Sequence, residues 1–140
     1  MGQIFAWVGL FALSAALVPA VGHAACASGD FTAAQAAQGK TLYDANCASC
    51  HMTNLSGGSG PALSGAKFKS YLDFTKITGA QLLSFVTAQM PYQSPGSLKP
   101  AQYQSIFAYI LQYDQYKSGD TALTDQTAAC VAMLPYPGKS

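Results

Sequence analysis

Cys47-Ala48-Ser49-Cys50-His51 is the stretch on which the reading of this chain turns. Two thiols and an imidazole, all able to bind or attack, fall within five consecutive positions. C-x-x-C-H is the attachment signature of haem c: the two thiols add to the two vinyl groups of one porphyrin, and the next residue, His51, lies under the iron and supplies its proximal nitrogen. A redox dithiol would need a strand leading into the cysteine pair within a βαβ unit, and a helical pattern precedes this one. Structural zinc would need more ligands, and past the N-terminal segment the chain has no other His and no second close Cys pair.

Upstream of the motif, Thr32-Ala33-Ala34-Gln35 has the form of a capping box, a Thr oxygen and a Gln side chain satisfying free amides at a helix start. The spacing predicts a helix over about 33–47, with Ala36, Gly39, Tyr43 and Cys47 on one stripe. Downstream, 54–65 is rich in Gly and Ser, contains Gly60-Pro61, and reads as loop. Thr78-Gly79-Ala80-Gln81 repeats the capping-box form and opens a second helix carrying Leu82, Phe85 and Val86. Pro91 stops it near Met90, because the residue before a proline avoids helical geometry.

A second loop, 92–99, holds Pro95 and Gly96. Pro100 suits the first position of a third helix, where its missing amide costs nothing. Tyr103, Ile106, Phe107, Ile110 and Leu111 then recur at amphipathic helical spacing, the clearest pattern in the chain. From Ser118 the sequence is turn-rich. With no alternating strand pattern, no repeat and no nucleotide-binding Gly motif, the expected fold is small and all-α.

The N-terminal run from Met1 to Gly22 is apolar and uncharged, and small residues follow at Ala24 and Ala25. It reads as a secretory signal peptide over 1–25, removed on export, leaving one domain over 26–140 with 118–140 as a C-terminal extension. The expected location is the periplasm. The chain would meet a membrane only if that run were retained as an anchor or Cys26 were lipidated. Seven Lys face six Asp, with no Arg and no Glu, and the formal net charge is +1. Nucleic acid is excluded as a partner, because no basic cluster is present to displace phosphate counterions. Charged residues make up 9% of the chain, against about 25% in an average domain, so partner contacts should depend little on net charge.

From Gln35 to Tyr113 the sequence resembles the bacterial monohaem class I cytochromes c. The family's pattern appears in order: Gly39-Lys40-Thr41-Leu42-Tyr43, then 47–51, then Gly60-Pro61-Ala62-Leu63, then Met90-Pro91, then 103–111. The resemblance implies three main helices around one covalent haem c, with the first and last crossing where Gly39 and Tyr43 meet Ile106 and Tyr109. It implies that the Pro61 carbonyl accepts the second ring proton of His51, and that Met90 is the sixth ligand. Counting supports the ligand: once the signal is removed, His51 is the sole His, Met52 adjoins the proximal ligand, and Met133 lies in the tail. Tyr71, Tyr92 and Lys69 are candidate partners of the haem propionates.

The same crossing of helices would bring the regions before the first helix and after the third together. In an oxidising compartment this suggests a Cys26–Cys130 disulfide. The implied function is one-electron transfer between a periplasmic dehydrogenase or quinol oxidase and a further acceptor, as a free monomer and not an enzyme. The alternatives are a fixed haem subunit of a dehydrogenase complex and a ligand-binding or peroxidatic haem protein. Redox partner proteins would dock at an exposed haem edge ringed by Met52, Leu55, Pro91 and Tyr92.

Overall fold

The computed structural model describes residues 30–139; the expected signal segment and Cys26 lie outside them. Among the described residues the chain forms α1 (Ala33–Asn46), α2 (Ala48–His51), α3 (Gly65–Thr75), α4 (Gly79–Gln89) and α5 (Pro100–Tyr113), followed by a 3-10 turn at Thr127–Cys130. The fold is all-α. Its β pairing, among these residues, is one isolated parallel bridge between Phe31 and Ser118. No helix among them is long and apolar enough to cross a membrane.

The crossing of α1 and α5 organises the molecule, and Gly39 permits it: a Cβ there would run into the backbone carbonyl of Ser105 and come within 3.0 Å of Tyr109 Cβ. Gly39 thus meets Ser105 and Tyr109. One turn on, the Tyr43 ring packs on Tyr109 with centroids 5.2 Å apart, in a cluster that includes Leu55, Ile106 and Ile110. The opposite side of α5 presents Tyr103, Phe107, Ala108 and Leu111 to a larger cluster. Apolar residues on both sides explain why every residue from Ile106 to Leu111 is buried.

The Thr78–Gln81 capping box forms in full at the start of α4. At α1 only half of the expected box forms. Thr32 Oγ1 accepts from the Gln35 amide at 3.2 Å, but the Gln35 side chain reaches Leu123 instead, donating to its carbonyl and accepting from its amide, each at 2.8 Å. Two bonds to one remote peptide replace one bond to a local amide.

Helix α3 joins the three helices expected. Its Phe68 and Leu72 are buried one turn apart, on a short apolar stripe flanked by Lys67 and Lys69. The segment after Ser118 places Leu123, Ala128, Val131, Met133 and Tyr136 in the larger core cluster. A Cβ on Gly79 would lie 2.6 Å from Val131 Cβ, so the tail packs directly on the start of α4.

Candidate functional site

The site is built where α1 ends. The Cys47 amide still bonds the Tyr43 carbonyl at 2.8 Å, and the amides of Cys50 and His51 then both turn back onto the Cys47 carbonyl, at 3.1 and 3.0 Å. This single helical turn puts positions 47, 50 and 51 on one side, since residues three and four apart are neighbours on a helix. Buried Tyr43 fixes the end of the turn by donating from its hydroxyl to the Met52 carbonyl at 2.8 Å.

The loop that follows folds back over the turn. Gly60 N–H donates to the Cys50 carbonyl at 3.0 Å, Gly57 N–H to the His51 carbonyl at 3.1 Å, and Leu63 N–H to Leu55 at 2.8 Å. His51 Nδ1 lies 2.8 Å from the Pro61 carbonyl oxygen. A carbonyl can only accept, so Nδ1 carries the hydrogen and Nε2 keeps the lone pair that a metal requires. Gly60 makes room for this ring: a Cβ there would stand 2.8 Å from His51 Cε1. As free thiols the two cysteines differ. Burial pushes Cys47 up to about 11, whereas hydrogen bonds from Ser59 and Ser49 hold Cys50 below the ordinary thiol value.

Cys47, Cys50, His51 and Met90 line one cavity of about 880 Å³, within the size range of sites that enclose a cofactor. Its walls are largely apolar, with Phe68, Leu82, Val86, Ile106 and Phe107 among them. This donor set fits a haem: two thiols for its vinyl groups, a His with a free Nε2, a thioether, and apolar walls for the macrocycle. Lys67 is the charged side chain in the lining, with Tyr71 one turn further along α3; these suit the haem carboxylates. Lys69 lies outside the lining and pairs with Asp73 at 2.6 Å, so that expectation is corrected: Lys69 and Asp73 stand four apart on one helix face and pair along it.

Met90 caps α4 in an extended conformation, and its carbonyl accepts from the Tyr103 hydroxyl at 2.6 Å. Met133 is buried in the larger core cluster and Met52 is 47% exposed; neither lines the cavity. Leu55, expected at an exposed edge, is fully buried, because it fills the gap between α1 and α5. Tyr92 is 79% exposed and lines the cavity with Pro91. The sequence reading missed the roles of Gly60, Lys67 and Tyr103. The one local signal it passed over was Phe68, Tyr71 and Leu72 at i, i+3 and i+4, which marks α3 and brings Lys67 with it.

A C-x-x-C-H turn over an apolar cavity in an all-α fold defines a c-type cytochrome. Residues 34–110, more than half of the chain, match the family of cytochrome c oxidase, cbb3-type, subunit III, and the chain belongs to that family. It is a monohaem cytochrome c domain with one covalently bound haem c, an electron-transfer haem protein, and Cys47, Cys50 and His51 fit the attachment motif. Among solved structures it is similar to a chain in the crystal structure of the sulfane dehydrogenase SoxCD from Paracoccus pantotrophus, at 26% identity and a TM-score of 0.55. The likeness covers 73% of this chain and 54% of that one, so this chain spans about half the length of its neighbour. No curated protein matches it significantly.

Proposed function

We propose that the chain is a periplasmic one-electron carrier whose iron is held between His51 and Met90, passing electrons between a dehydrogenase or quinol oxidase and a terminal acceptor. The observation that carries this reading is that Met90 shares a cavity with Cys47, Cys50 and His51, while Met52 and Met133 do not. When bound, the haem supplies a ferric/ferrous couple whose potential His/Met ligation raises. The residues supply the rest. Pro61 holds the His51 ring, Met90 would offer its thioether to the iron and so close it to substrates, and the apolar lining would keep water from the ring. Tyr71, Phe85 and Tyr92 are exposed large apolar side chains that belong to the cavity lining, and they offer a redox partner protein an apolar contact.

The test is a pair of substitutions. Met90→Ala should erase the weak far-red band of Met-ligated ferric haem, lower the potential and open the iron to carbon monoxide. Met133→Ala should destabilise the fold by about 2–5 kcal/mol, the usual cost of emptying a buried Met site, and leave the band in place. A normal band in Met90→Ala would assign the ligand elsewhere.

A second reading, a fixed haem subunit of a larger redox complex, is favoured by the likeness to a chain of the SoxCD sulfane dehydrogenase. Copurification of a stable partner from the native periplasm separates it from a free monomeric carrier. In either case the signal over 1–25 would be removed on export, and Cys26 would pair with Cys130. Closing so long a loop would stabilise the fold by roughly 4 kcal/mol in the chain-entropy model. Intact mass before and after reduction and alkylation tests the pairing: alkylation at position 26 without reductant would refute it.

A further inference from the structure

The thioether of a methionine is a weak axial ligand, so a Met-ligated iron depends on how firmly the chain holds that Met in place. The segment carrying Met90 is held by the last turn of α4, where the Met90 amide bonds Val86 at 3.0 Å, by a few turn bonds of its own, and by one shorter bond from outside. After α4 ends at Gln89, residues 92–97 are all exposed, and their backbone bonds are local, Ser94 N–H to Pro91 at 2.8 Å, Ser97 N–H to Ser94 at 3.2 Å and a longer one of 3.3 Å from Gly96 N–H to the Met90 carbonyl. The fixed point lies across the chain in α5. The Tyr103 hydroxyl donates to the carbonyl of Met90 itself at 2.6 Å and accepts from the Leu98 amide at 3.3 Å. One oxygen on a side chain that is 1% exposed therefore joins the two ends of the distal loop.

We propose that Tyr103 is a positioning residue for the sixth ligand: its hydroxyl holds the Met90 backbone so that the thioether competes successfully for the iron. The inference rests on the reading of Met90 as that ligand. The molecule contains its own control. Tyr116, also buried, donates to the carbonyl of another methionine, Met133, at 2.7 Å, in the tail and away from the cavity lining. Tyr116→Phe removes the same atom from the same kind of bond without touching the distal loop.

The experiment is titration of the ferric holoprotein with imidazole, which must displace the sixth ligand to bind. A single hydrogen bond changes an equilibrium by several-fold to about tenfold. Tyr103→Phe should therefore raise imidazole affinity about tenfold over wild type, and Tyr116→Phe should leave it within about twofold. Equal affinities in the two variants, with Met90→Ala binding imidazole far more tightly than either, would overturn the role of Tyr103 and leave Met90 as the ligand. Wild-type affinity and an intact far-red band in Met90→Ala would overturn the ligand and this inference with it. Amide exchange on wild-type holoprotein needs no variant: Leu98 N–H should be protected while the Tyr92 and Gln93 amides exchange fast. Fast exchange at Leu98 would show that the clamp does not hold.

Discussion

The loop after His51 and the loop after Met90 are both short, glycine-containing and irregular, yet they are held in opposite ways. The first is locked mostly by itself: Gly57, Gly60, Pro61 and Leu63 bond back to Cys50, His51 and Leu55. The second has turn bonds of its own, the one to Met90 a long 3.3 Å from Gly96 N–H, and its two ends are joined to a remote helix through one tyrosine hydroxyl. A locally locked loop keeps its shape whatever the rest of the chain does. A loop held at a distance is the one able to yield, and under the proposed ligation Met90, the weaker ligand, would sit on that loop.

The largest expected contrast comes from adding one methyl group to each loop. Gly60→Ala would press on the His51 ring, which is itself fixed to Pro61, and overpacking of this kind costs about 1–3 kcal/mol. Because the ring must tilt or the Pro61 bond must lengthen, the midpoint potential and the haem spectrum should change along with stability. Gly96 has φ +71 and open space around it, with Thr87 O at 3.9 Å as the neighbour in reach. Gly96→Ala should cost about 1–2 kcal/mol of backbone strain and change the potential less than Gly60→Ala, because Gly96 reaches Met90 only through a long amide bond of 3.3 Å. Equal potentials in the two variants, measured by spectroelectrochemistry, would mean that the first loop is as compliant as the second.

A smaller effect tests the outer anchor of the first loop. Its last residue, Ser64, donates to Asp114 Oδ1 at 2.5 Å, and Tyr136 donates to the same oxygen at 2.6 Å. The other oxygen is buried without a partner, and burial raises the Asp114 pKa above the usual carboxylate value. A group whose folded pKa lies above its unfolded value stabilises the fold fully below the unfolded value, about 3.9. That stabilisation is lost as pH rises through the folded value. Wild type should therefore lose stability relative to Asp114→Asn as pH climbs from about 4. Denaturant unfolding at several pH values reads this, and a difference that stays flat or has the opposite sign would show that the carboxylate is favoured in place.

The same contrast explains what the sequence disclosed. C-x-x-C-H, the Thr78 box, Pro100 at the head of α5 and the spacing of Tyr103 to Leu111 are local signals, and the structure follows them. What sequence did not disclose depends on contacts far along the chain. Gln35 abandons its capping role for Leu123, Leu55 turns inward to the α1–α5 crossing, and Lys67 lines the cavity with residues of α4 and α5. Helix α3 carries a local signal too, Phe68, Tyr71 and Leu72 at helical spacing, but the stripe is short and lysines flank it on both sides. The clamp of Tyr103 on Met90 could not be read at all, since that tyrosine also fits the apolar stripe of α5 and nothing in its spacing distinguishes a hydroxyl with a task from a ring that fills space.

The most direct test of the account is to expose the reduced wild-type holoprotein to carbon monoxide and record its visible spectrum. An electron-transfer haem closed by His51 and Met90 should leave the spectrum unchanged over minutes, and the same treatment of Met90→Ala should give the carbon monoxide adduct at once. Prompt adduct formation in the wild type would contradict the account, because an iron open to ligands belongs to a binding or peroxidatic protein and not to a carrier.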